Sequence, residues 1–155
     1  IGGSETLKYL INVAISCKGN VFEGERFKDF PYTTHGIISG EDGTKSEETF
    51  TNTEDVLNYA LRLKKESENF HKEKATAYKV ALDVFEQLGF FTFVGHLVDS
   101  DSQKDIKRYL YANETKTPPY KGDFGDQPAL WVDKYFMIKG MRDVIKARNR
   151  KKANA

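Results

Sequence analysis

Two aspartates one residue apart, Asp99 and Asp101, stand where an apolar run ends and a helical pattern begins, in the stretch HLVDSDSQKDIKRYL from His96 to Leu110. Side chains two apart on a strand share a face. Two carboxylates at the C-terminal edge of a parallel strand therefore suit Mg²⁺ or Mn²⁺, which take oxygen ligands. The same residues admit a reading without a metal. Ser102 is then a helix N-cap, Asp105 three residues on is the acid of a capping box, and Asp99 and Asp101 sit near the positive pole of the helix. This second reading uses every polar residue in the stretch and is favoured.

His35, in PYTTHGIIS, is flanked by the hydroxyl-bearing residues Tyr32, Thr33, Thr34 and Ser39. A histidine among hydroxyls on a loop suits phosphate-ester binding or general acid-base work. Tyr32 and Thr34 are then its companion ligand-binding groups. The paired His-x-Thr/Ser repeats of two-histidine phosphoesterases are missing, because Gly-Ile follows His35 and Leu-Val follows His96. His96, inside an apolar run, reads as a core histidine, and His71, in a charged helical stretch, as a solvated one. The chain has no dinucleotide or Walker glycine loop, no nucleophile elbow and no Cys/His metal spacing.

The Asp99-Ser100-Asp101 spacing resembles the Asp-x-Asp of topoisomerase-primase (Toprim) domains. Those domains also carry an earlier glutamate-glycine after a strand, and VFEGERF offers Glu23-Gly24. The resemblance covers these two short patches. It implies a metal site in which Glu23 is a third acid.

The broadest signal is charge. Lys139, Arg142, Lys146, Arg148, Arg150, Lys151 and Lys152, against the single acid Asp143, place +6 on residues 139–152. The remaining 17 basic and 22 acidic residues leave −5 on the rest of a chain whose formal net charge is +1. Cationic clusters of this kind meet backbone phosphates through counterion release. Tyr109, Tyr111, Tyr120, Phe124 and Trp131 add stacking surface wherever they are exposed. The competing reading is a solubilising helix end, with cations favoured at its negative pole.

The elements that must position these groups follow from periodicity. Leu7, Tyr9, Ile11, Val13 and Ile15 alternate and predict a strand over 7–15, although Leu7, Leu10, Ile11 and Ala14 also fit a helix. Asp42-Gly43 predicts a hairpin turn, and FKDFPYTTHG an irregular loop. Asn52 or Thr53 caps a helix that runs to Gly89, either as one long helix or as two broken near KESENFHKEK. FFTFVGHLV, residues 90–98, is apolar on both faces and predicts a central strand. A short helix over 102–112 follows, then a proline-stiffened loop. Residues 129–140 form two short strands around Asp133-Lys134 or a helix ended by Gly140. Residues 141–152 form a terminal helix.

These elements predict an α/β or α+β fold: one compact domain over residues 5–145, with a small mixed sheet packed by one long or two medium helices, and a basic tail over 146–155. Residues 1–4 resemble the end of a small ubiquitin-like fusion partner followed by a cloning serine, and are set aside. With 155 residues the chain can bury a substantial core without disulfide staples. Cys17 is the only cysteine, which forbids an intrachain disulfide and suits the cytoplasm or another reducing intracellular compartment. Its expected place is a buried or strand-end position. No apolar run approaches the ~18 residues of a membrane span. The function expected is non-enzymatic binding of nucleic acid or a phosphate-bearing small ligand by the basic C-terminal helix. The alternative is a phosphate-ester hydrolase or nuclease using a metal at Asp99 and Asp101, or acid-base chemistry at His35.

Overall fold

The computed structural model describes residues 3–18, 29–39, 44–118, 120–122, 125 and 127–154. Among them are five α-helices and one two-stranded antiparallel sheet, an α+β fold. No helix among the described residues is long and apolar enough to cross a membrane. Contacts group the chain into two compact units, residues 20–97 and residues 2–19 with 98–155.

In the first unit, β1 (Tyr32–Ser39) pairs antiparallel with β2 (Thr44–Phe50), and the ladder closes at Ser39 opposite Thr44. The hairpin expected around Asp42-Gly43 is thus present, although its turn lies outside the described residues. Of the loop expected at FKDFPYTTHG, residues 32–36 belong to strand β1, paired with β2, while residues 29–31 are irregular and residues 27 and 28 lie outside the described residues. The pairing slips between Thr34 and Ile37, an irregularity that spares the ladder on either side.

Helix α2 (Thr53–His71) begins at Asn52, whose side chain accepts the N–H of Asp55 at 2.9 Å, an N-cap as expected. Its buried positions, Val56, Tyr59, Ala60, Leu63 and Ser67, keep helical spacing. A short 3₁₀ turn at Lys72–Lys74 ends it, and α3 (Ala77–Phe91) starts at a second cap, Thr76. The two-helix alternative therefore holds. Ser67 Oγ donates to Asp83 Oδ2 at 2.8 Å, and His71 Nε2 lies 2.7 Å from the same oxygen. The polar gap at Ser67 and the histidine expected to be solvated together staple α2 to α3.

Gly89 does not stop α3, which runs through Phe91. The central strand expected over 90–98 is instead the end of that helix followed by a 3₁₀ turn at Val94–Leu97. Thr92, Val94 and Leu97 in this stretch are still buried. His96 stacks on Phe30 at 4.2 Å between ring centroids and meets Phe93 edge-on; it is half-buried among aromatics rather than the core histidine expected.

In the second unit, residues 7–15 are helix, not strand. Helix α1 (Ser4–Lys18) buries Leu7, Leu10, Ile11, Val13, Ala14 and Ile15, more than one helical stripe. A segment buried nearly all round has apolar residues at both period two and period 3.6, so periodicity alone could not choose. Ser4 is the first residue of this helix. Cys17, at its end, is exposed rather than buried. Helix α4 (Ser100–Thr115) buries Ile106, Tyr109 and Ala112, and closes on Lys116 in the left-handed conformation. Helix α5 (Ala129–Ala153) passes through both Asp133-Lys134 and Gly140 without interruption.

Candidate functional site

Asp99 is the N-cap of α4, with extended backbone at φ −121° and ψ 124°. Its Oδ2 accepts the N–H of Ser102 at 3.2 Å and the hydroxyl of Ser102 at 2.7 Å. These bonds, the Ser102 hydroxyl first among them, hold the Asp99 carboxyl below the ordinary carboxylate range. The favoured reading thus had the right event and the wrong residue. Ser102, expected as the cap, is inside the helix and buried, and its hydroxyl braces the cap that Asp99 provides.

Asp105, expected to close the capping box, serves a different purpose. Its carboxylate pairs with Lys134 Nζ of α5 at 2.9 Å and receives the Tyr9 hydroxyl of α1 at 3.4 Å. Burial first, and then the Asp105 charge, push the Tyr9 hydroxyl well above the ordinary tyrosine range. Asp105 therefore joins three helices. Beside it runs a cleft of about 400 Å³, with Asp99, Asp101, Asp133, Lys8 and Leu130 among its lining.

The metal reading needed Asp99 and Asp101 to point together from a strand end. They lie instead at the start of helix α4, where the Asp99 carboxylate is taken up in capping. Among the described residues no group of three or more His, Cys, Asp or Glu side chains is placed to hold a metal ion. Glu23 and Gly24, the other half of the Toprim resemblance, lie outside the described residues.

The hydroxyls expected around His35 are turned to structural use. Thr34 is buried and its Oγ1 donates to the carbonyl of Phe91 at 2.6 Å. The Tyr32 hydroxyl is bonded to Thr92 Oγ1, and its ring stacks near Phe30 and packs on Phe50. The side chain of His35 lies outside the described residues.

The basic residues form the most extended array. All seven lie on α5, so the expected tail over 146–155 is helical as far as Ala153. Lys139, Arg142, Lys146 and Arg150 follow i, i+3, i+7 and i+11 spacing and share one face. Asp143 shares that face too, and its Oδ2 lies 2.9 Å from Lys139 Nζ. The bond to Lys139 first, and the Lys146 and Arg142 charges besides, hold the Asp143 carboxyl below its ordinary range. The Arg142 guanidinium lies over the ring of Tyr109, 5.8 Å from its centroid. An open concavity of about 470 Å³ follows, lined by Asp143, Lys146, Asn149 and Arg150. Ile145 is the last buried residue of α5, and Lys146, Arg150, Lys151 and Lys152 are exposed.

Of the aromatics expected to offer stacking surface, Tyr109 and Trp131 are core residues at 4% exposure. Tyr111 is exposed, and Tyr120 is partly covered by Arg108, whose guanidinium lies 5.1 Å from its ring centroid and 5.5 Å from that of Trp131. Phe124 lies outside the described residues.

No protein-family model, curated protein or solved structure matches this chain. The chemistry of its own residues is therefore what points to a function.

Sequence reasoning missed two groups, Asn12 and the Ser67–Asp83–His71 cluster. Asn12 is a lone amide in an apolar run, the one signal that marked it; the cluster left none, because Asp83 is 12 residues from His71.

Proposed function

We propose that this chain is a nucleic-acid-binding protein that meets phosphates with the C-terminal half of α5. One observation carries the reading. The cations at Lys146, Arg150, Lys151 and Lys152 are exposed on a continuous helix that extends beyond its last buried residue, Ile145. Their charge is thus carried on exposed positions of a helix past its last buried residue, where phosphates can approach with little desolvation of protein. The −5 carried outside residues 139–152 disfavours phosphate elsewhere and orients an anionic partner toward this end. The hydrolytic alternative has weaker support, because the Asp99 carboxylate is engaged in capping α4.

The test is a fluorescence-anisotropy titration of labelled oligonucleotides at several salt concentrations. Full-length protein is compared with a variant carrying Lys146→Gln, Arg150→Gln, Lys151→Gln and Lys152→Gln. Each phosphate contact contributes a log–log slope of about −0.7 on single strands and −0.9 on duplex, so the variant flattens the slope by roughly 3–4 units if all four meet phosphate. Its melting temperature is expected to stay unchanged, since all four side chains are exposed. Absence of binding by the full-length protein at low salt overturns the reading.

A further inference from the structure

We infer that the partner is B-form duplex DNA, entered in its major groove by the end of α5, an inference that rests on the function proposed above. The arrangement of charge around the helix carries it. On a helix of 3.6 residues per turn, Lys146 and Arg150 stack on one side, and Lys151 and Lys152 fall about 120° to 140° from them, one to either side. Arg148, opposite the first pair, is half-buried on the side of Ile145, so the exposed cations are Lys146, Arg150, Lys151 and Lys152. A flat or convex surface would be met by cations on one face alone. Cations on several faces of one rod suit a channel with a phosphate wall on each side.

The dimensions agree. A helix with its side chains is about 10–12 Å across, and the B-form major groove is about 12 Å wide. The segment that would enter has no buried residue after Ile145 among the described ones, so no core packing must be undone to admit it. From Lys146 to Ala153 it spans about 11 Å at 1.5 Å per residue, enough to lie along a few base pairs at 3.4 Å each. The A-form groove of duplex RNA is deep and narrow and excludes such a rod. A single strand has no second wall.

The decisive experiment uses the full chain and three labelled probes of one sequence, a DNA duplex, an RNA duplex and a single DNA strand, at one salt concentration. Groove entry predicts that the DNA duplex binds at least about tenfold tighter than the RNA duplex of equal length and charge. Methyl green, which occupies the major groove, displaces the protein; netropsin, which occupies the minor groove, does not. Equal affinity for the two duplexes, tighter binding of the single strand, or displacement by netropsin alone overturns groove entry and leaves phosphate binding in place. Failure to bind all three probes at low salt overturns the underlying reading itself.

Discussion

The backbone N–H of Asp99 donates to Oδ1 of Asn12, 2.9 Å away and 87 residues earlier in the chain. The same oxygen accepts from Gln103 Nε2 at 3.0 Å, and the Asn12 amide nitrogen donates to the carbonyl of Lys8 at 2.8 Å. Asn12 is fully buried in the middle of apolar α1. One side chain therefore fixes where α4 begins.

Replacing it tests that role. Asn12→Leu keeps the volume but removes the side-chain acceptor, leaving the Asp99 N–H without its partner and the Gln103 amide with only the backbone carbonyl of residue 12. The expected cost is about 2–3 kcal/mol, read from urea unfolding. A neutral substitution would mean that α4 is positioned by its apolar contacts alone.

The cap itself has a pH signature. The Asp99 carboxyl is held below its ordinary range in the folded chain, so its contribution to stability is present above the unfolded carboxylate pKa and is lost as pH falls through the folded value. Asp99→Ala is expected to cost about 1 kcal/mol at neutral pH. Asp99→Asn keeps a capping oxygen and should remove this residue's share of the acid-limb loss. Thermal melts between neutral and acidic pH distinguish the two variants; identical pH profiles for wild type and Asp99→Asn would dismiss the carboxylate's part.

Asp83 holds two partners from α2, Ser67 and His71, through one oxygen. Asp83→Ala leaves both of them unbonded and is expected to destabilise by about 1–2 kcal/mol. His71→Ala removes one partner and should cost less. A double-mutant cycle of Asp83→Ala and His71→Ala measures their coupling, and additive effects would show that the 2.7 Å approach carries no energy.

Asp143 sits within the basic face of α5 and pairs with Lys139. Under the proposed function it competes with phosphate for that lysine. Asp143→Asn is expected to tighten nucleic-acid binding and to steepen the salt slope by about one unit as Lys139 becomes available. An unchanged slope would place Lys139 outside the contact.

The sequence by itself determined what short-range chemistry controls. The hairpin expected around Asp42-Gly43 is there as the pairing of β1 with β2, Asn52 capped α2, and the charges of residues 139–152 were legible as a cationic end. Each depends on neighbours within about one turn. Tertiary structure decided the remainder. Residues 7–15 and 90–98 are apolar at both periods, and burial of nearly every side of α1 made the first a helix, while the second was taken up by the end of α3 and a 3₁₀ turn. Ser102 and Asp99 are rival caps that differ by roughly 1 kcal/mol or less in local preference. A hydrogen bond from the backbone N–H of residue 99 to the side-chain oxygen of residue 12 is enough to tip such a balance, and sequence separation hides it. The same limit applied to the basic residues: their number was written in the chain, but only a continuous helix past Ile145 decided that Lys146, Arg150, Lys151 and Lys152 stand exposed beyond its last buried residue.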